Sequence, residues 1–492
     1  MTRRLTCQRR KRSGGYTMVE LLTATTLAII MMLGVVTILG AVGRTMNDTR
    51  AALEMADRLR ATRNILQKDL EGITVTMLPP RRPEFHEGYF ELIEGPIGPL
   101  VQPQQFAINS ETGQPDTTVI DFDDILMFTT RRLEGPFVGR FGTTSIESPV
   151  AEIAWFVRGN VLYRRVLLVA PWTAALSLDN DTTPDLNQLG PQSVYDFCDV
   201  SVRRDWSSGA WRPNTLGDLT NRENRFAHQV VAAHPFPYEA SVWGLLGLPT
   251  LEETSHSAWM NLAGWSRLNL LPLPHAALVR TQSSFQTDLW LAPYDWVTRG
   301  GLTLPIDPVR GILADFQGPR AGEDVVLTNV IGFDVKVWDP DAPIQLGPDQ
   351  EAVYPGEPGF GSNPVVGTGA FVDLGWGGNT AFGRPGHPKS GLGAVYPNGT
   401  PRVIPTHVYD TWSYAYETDG QQQYAPSPDA GTNGFDDNGD GVVDDPGEMD
   451  TLPPYGQPLR AIQIRIRVFE PDTRQIRQVT IVHSFLPGLN VP

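Results

Sequence analysis

The sequence predicts an α+β protein. One long N-terminal helix, membrane-spanning in its first half, packs on an antiparallel β-sheet head that carries large loop-rich insertions. Three observations lead there. Leu21 to Gly43 is a run of 23 residues without a charge, and apolar residues continue beyond it at helical spacing. Short β-rich segments with turn residues between them then recur along the chain. Gly 48 and Pro 42 in 492 residues favour turns and short strands over further long helices.

The uncharged run is long enough to cross a bilayer, and the basic residues before it (Arg3, Arg4, Arg9, Arg10, Lys11, Arg12) place the N-terminus in the cytoplasm and the bulk across the membrane. Those six cations leave −22 for the remainder of a chain whose net charge is −16, a surface that repels phosphate backbones and excludes nucleic acid as a partner. Beyond Arg44, Ala52, Ala56, Leu59, Leu66, Leu70 and Ile73 share one helical face, with Glu54, Asp57, Arg58, Arg60, Arg63 and Lys68 on the others. Thr76-Met77-Leu78-Pro79-Pro80 ends the helix, so it is predicted over 16–78, with the membrane segment at about 21–43. Roughly fifty-five residues of it are helical, and at about 1.5 Å per residue they span roughly 80 Å. Glu20 is the anomaly: a carboxylate at the mouth of this segment costs a few kcal/mol if drawn toward the bilayer centre. A cleaved secretory signal, for which Leu39 to Gly43 offers small residues, does not explain it, and neither does a plain anchor.

Strands are predicted at 118–122, 124–129, 152–157 and 161–167, the last two joined by a turn at Arg158-Gly159-Asn160. Asn329 to Trp338 is a further strand, closed by Asp339-Pro340. Ile462, Ile464, Ile466 and Val468 alternate with Gln463, Arg465 and Arg467, the period of a half-buried strand, and a turn at Pro471-Asp472 leads to a partner over 478–485. Between these islands, 171–326 holds eight of the twelve tryptophans, seven of them from Trp206 to Trp296. Such aromatics can stack sugars or grip exported substrates, but they read first as the core of an inserted subdomain. The Gly/Pro-rich interval 340–457 reads as ordered irregular loops on the surface of the head.

The strongest chemical pattern lies in that second interval. Asp436, Asn438 and Asp440 occupy positions 1, 3 and 5 of an EF-hand-type loop, Gly441 position 6, Val442 (through its carbonyl) position 7 and Asp444 position 9. Position 12 is Gly447, with Glu448 one residue late, so a calcium site over 436–448 closes differently from the standard loop. Asp437 and Asp445 add to the acids there, which repel one another without a cation. The alternative is a solvated acidic turn. Enzyme signatures are absent: the sequence has no HExxH, no GxSxG and no clustered histidines. Gly383 to Ser390 resembles a phosphate loop only in composition, because Pro388 stands where an N–H is needed. Cys7 lies in the basic leader and Cys198 is alone in the body, which excludes a disulfide framework and makes Cys198 a small half-buried side chain.

Gly14-Gly15-Tyr16-Thr17-Met18-Val19-Glu20, after basic residues, resembles the type IV prepilin leader. The resemblance implies cleavage after Gly15 by a prepilin peptidase, N-methylation of Tyr16, and a contact between Glu20 and the terminal amine of a neighbouring subunit. Thr37 stands where many major pilins have a helix-kinking proline. The later segments are similar to a type II secretion minor pseudopilin of the J type: an LxxDL-like helix end at Leu66 to Leu70, an LxF strand at Leu126 to Phe128, a hairpin carrying WFV and LYRR at Ala154 to Arg165, a strand at Val330 to Asp339, and a C-terminal pair beginning Pro458-Leu459-Arg460-Ala461-Ile462.

That likeness implies a pilin-like fold divided into a leader 1–15, the helix 16–78, head segments 79–170, 327–339 and 458–492, and insertions 171–326 and 340–457, the insertions being what typical members lack. It further implies a non-enzymatic, single-pass inner-membrane subunit with a periplasmic or extracellular head. Such a subunit assembles through its helix with other pseudopilins into a short filament, near the tip. The alternative is a calcium-dependent surface-binding or adhesive head displayed on a pilin-type stem.

Overall fold

The computed structural model describes residues 16–81, 83–93, 124–158, 160–173, 194–204, 211–220, 224–226, 248–256, 296–299, 302–305, 317–357, 359–361, 363–374, 376, 408–411, 441, 458–471, 473 and 475–486. They fall into two compact units, one comprising the helix through Asp57 with the turn Glu470–Gln475, the other Arg58–Phe469 with Ile476–Pro492.

Helix α1, Met18–Glu71, is continuous over 54 residues. In its C-terminal part Leu59, Thr62, Leu66, Asp69 and Leu70 are buried, the 3–4 spacing of one helical face. Thr62 tolerates burial because its hydroxyl donates to the Arg58 carbonyl at 2.9 Å. The helix stops seven residues before the predicted end at 78. Gly72 to Thr74 leave it to pair with the strand below: Arg131 N donates to Gly72 O at 2.7 Å and Thr74 N to Thr129 O at 3.0 Å. A Cβ at Gly72 would strike the Arg131 carbonyl, so glycine is what permits this close exit.

The first sheet contains β1 (Phe90–Ile93), β2 (Ile125–Arg131), β5 (Val150–Arg158), β6 (Val161–Leu168), β11 (Val325–Thr328) and β15 (Val408–Asp410). It is antiparallel throughout in the order β11-β6-β5-β2-β1-β15. The predicted hairpin is present, with Arg158 opposite Val161. Phe90, Phe128, Trp155, Phe156 and Tyr163 fill its core. The predicted strand at 118–122 lies outside the described residues.

The second sheet contains β12 (Val330–Leu346), β13 (Ala352–Val353), β14 (Val365–Val372), β16 (Ala461–Glu470) and β17 (Gln475–Ser484). Ile462, Ile464, Ile466 and Val468 are fully buried while their neighbours are partly open, as the alternation predicts. Two features differ from expectation. Strand β12 runs through Asp339-Pro340, because Val337 to Asp339 pair with Ala370 to Val372 and pairing resumes at Pro343 after a register shift. The Gly/Pro-rich interval is also not all loop, since 365–372 is a strand of this sheet and 408–410 an edge of the first. Three short antiparallel pairs complete the described strands: β3 (Phe137–Phe141) with β4 (Thr144–Ser148), β7 (Val202–Arg204) with β8 (Trp211–Pro213), and β9 (Trp296–Arg299) with β10 (Leu302–Pro305).

Candidate functional site

The N-terminal turn of α1 is built by two side chains. Glu20 N donates to Thr17 Oγ1 at 3.2 Å, while Thr17 N and Thr17 Oγ1 each donate to Glu20 Oε2 at 2.9 Å. These are the reciprocal bonds of a capping box, which satisfy amide groups that a helix start leaves without partners. Glu20 thus has a role in its own helix that the sequence reading did not assign, recognisable from the Thr-x-x-Glu spacing. One carboxylate oxygen, Oε2, accepts both of the bonds that Thr17 donates.

From Met18 to Gly43 the helix is long and apolar enough to cross a membrane, and none of that span is buried within the chain. Leu21, Leu27, Ile30, Leu33, Ile38 and Leu39 are all about 60% exposed, a surface suited to lipid or to other apolar helices. The threonines within it hide their hydroxyls. Thr26 donates to Leu22 O at 2.8 Å and Thr37 to Leu33 O at 2.7 Å, which suits an environment without water to bond to. Tyr16 is 85% exposed at the start of the described chain; Gly15 lies outside the described residues.

The head is held by charges that sequence reading passed over. Asp69, on the last turn of α1, accepts from Trp155 Nε1 at 3.0 Å and from Arg164 Nε and Nη2 at 2.7 Å each. On the other side of the sheet Arg225, from the 171–326 interval, donates to Glu91 at 2.9 Å and to Asp410 at 2.6 Å, and its guanidinium lies 4.0 Å from the Tyr89 ring centroid. Burial works against the Arg225 cation, but the Asp410 and Glu91 carboxylates more than offset it and hold its pKa above the usual arginine value. Glu152 accepts from Tyr89 Oη at 2.7 Å, Ser201 Oγ at 2.6 Å and Phe226 N at 2.9 Å. Both intervals read as insertions are therefore bonded into the first sheet, the 171–326 interval through Ser201, Arg225 and Phe226 and the 340–457 interval through Asp410 and the backbone pairing of β15.

A cavity of about 210 Å³ opens beside β6 and β11, lined by Ile65, Arg164, Arg165, Asp199, Arg320 and Asp324 among others. Arg165 lies 4.8 Å from the Tyr195 ring centroid. Cys198 is fully buried rather than half-buried, and burial pushes its thiol up to about 12, which keeps it protonated and unreactive. Of the calcium-loop residues, Asp436, Asn438, Asp440, Val442, Asp444 and Glu448 lie outside the described residues. Gly441 is described, with φ +92°, the left-handed conformation that a sharp turn requires of glycine. Among the described residues no group of three or more His, Cys, Asp or Glu side chains is arranged to hold a metal. Trp206, Trp243, Trp259, Trp265 and Trp290 also lie outside them.

No protein-family model, curated protein or solved structure matches the chain.

Proposed function

We propose that this chain is a prepilin-like structural subunit, a minor pseudopilin of a type II secretion or type IV pilus-like system, and not an enzyme. It is cleaved after Gly15 by a prepilin peptidase, N-methylated at Tyr16 and held in the inner membrane by one span, with the N-terminus cytoplasmic and the head periplasmic or extracellular. Its helix packs with those of other pseudopilins in a short filament, near the tip. The observation that carries this reading is a single continuous helix of 54 residues whose apolar first half has no buried residue and whose first turn holds Glu20. A lone carboxylate at that depth calls for a counter-charge, which a neighbour's terminal amine supplies. The J-type likeness gains support from Asp69, Trp155 and Arg164. Asp69 of the helix-end motif and Trp155 and Arg164 of the hairpin motif share one hydrogen-bonded cluster.

Replacing Gly15 by alanine tests the proposal in the native cells. The variant is expected to keep its leader and to be absent from sheared filaments; a variant that matures and assembles like the parent overturns it.

A second reading, a calcium-dependent binding head on the same stem, is favoured by one observation, the left-handed backbone of Gly441 at the sixth loop position.

A further inference from the structure

Lys336 lies in β12, and Asp373 directly follows the last residue of β14. Val337 is paired with Val372, so Lys336 and Asp373 stand beside each other across the ladder. They are 9% and 3% exposed, and Lys336 Nζ is in contact with Asp373 Oδ1. A second carboxylate is within reach: Asp334, two residues back along the strand, places Oδ1 3.7 Å from the same nitrogen. Trp338 and Phe371, each two residues from one of the pair, pack edge to face at 5.1 Å between ring centroids. Over the carboxylate the chain turns at Gly356, φ +85°, where a Cβ would stand 3.0 Å from Asp373 Oδ2.

A buried ion pair adds little to stability when its desolvation is counted. The same groups are what amide condensation needs: an amine touching a carboxyl carbon's oxygen, a neighbouring acid able to carry a proton, and exclusion of the water that would reverse the reaction. We propose that Lys336 and Asp373 condense into an intramolecular isopeptide bond. Asp334 takes a proton from the Lys336 ammonium, and the freed lone pair attacks Cγ of Asp373. Asp334 then returns the proton to the departing oxygen. The Nζ–Cγ bond forms and one Cγ–O bond breaks. The two protons lost by the ammonium leave with that oxygen as water, so no oxidant, reductant or cofactor takes part. The bond ties β12 to the strand supplied by the Gly/Pro-rich interval and closes a loop between residues 37 apart, which restricts the unfolded chain.

The test is the mass of the full-length chain purified from its own membranes, followed by tryptic mapping. The expected result is a chain lighter by one water than its processed sequence, with no cleavage after Lys336 and a branched peptide joining the Lys336 and Asp373 segments. Lys336→Arg and Asp373→Ala should each restore the full mass and, for Asp373→Ala, cleavage after Lys336. Full mass in the parent protein, with Lys336 open to trypsin, overturns the proposal; this measurement needs no variant to fold. Asp334→Asn should leave the chain at full mass with both partners present. Unchanged loss of water in that variant overturns the part given to Asp334.

Discussion

The Asp69 carboxylate accepts a hydrogen bond from the Trp155 indole at 3.0 Å, although 86 residues separate them in sequence. The same carboxylate takes both bonds of the Arg164 guanidinium, so one side chain at the end of the helix fixes the adjacent strands β5 and β6. Asp69→Ala would leave a buried indole N–H and a half-buried guanidinium without an acceptor. It should cost about 2–4 kcal/mol of head stability, and Asp69→Asn, which keeps an acceptor for the indole, about half of that. Urea unfolding followed by tryptophan fluorescence on the detergent-solubilised chain reads both values.

Arg225 joins β1, β15 and its own segment, with side chains of Arg225, Glu91 and Asp410 all at zero exposure. Removing the cation strands two carboxylates in a dry site, so Arg225→Ala should cost about 3–5 kcal/mol. Adding Glu91→Gln and Asp410→Asn to that variant should recover most of the loss, because the penalty lies in burying two carboxylates without the Arg225 charge. The shift of the urea midpoint at constant slope checks this.

His483 gives a pH dependence near neutrality. Burial lowers its pKa below the usual histidine value, against a smaller opposing effect of Glu71. The unfolded chain therefore binds the proton more readily than the folded one. Its contribution to stability is in place above about pH 6.5 and falls as pH drops toward the folded pKa. His483→Phe, which keeps the edge-to-face contact with Phe485 at 5.0 Å, should flatten that slope in melting temperatures taken from pH 7.5 to 5.

If calcium binds over 436–448, saturating it at a hundred times its dissociation constant stabilises the folded chain by about 2.7 kcal/mol. Chelation should lower the melting temperature of the parent protein and leave Asp440→Ala unchanged. Absence of a shift in both removes calcium from the account.

The parts of the fold readable in sequence are those whose periodicity comes from burial on one face. Helix α1 and strand β16 are of this kind, Ile462 to Val468 alternating buried and open as their polarity does. The end of α1 was not readable, because it is set by strand residues Thr129 and Arg131 that capture Gly72 to Thr74. Strand β14 was hidden by its glycines and by the exposure of Val365 and Val366. The buried charges were unreadable for a different reason: Arg225 and Asp410 are 185 residues apart, and a charge is assigned to the surface until its partner is known. At the candidate site, Glu20 stood out by its type and place. Its reciprocal bonds with Thr17 are legible as the Thr-x-x-Glu spacing of a capping box.

The most direct test of the central claim is the N-terminus of the protein extracted from its native membrane, read by intact mass and terminal peptide sequencing. The account predicts a single species beginning at Tyr16 and carrying one added methyl group. A chain that retains residues 1–15, or one cut near Gly43 with α1 lost, contradicts it.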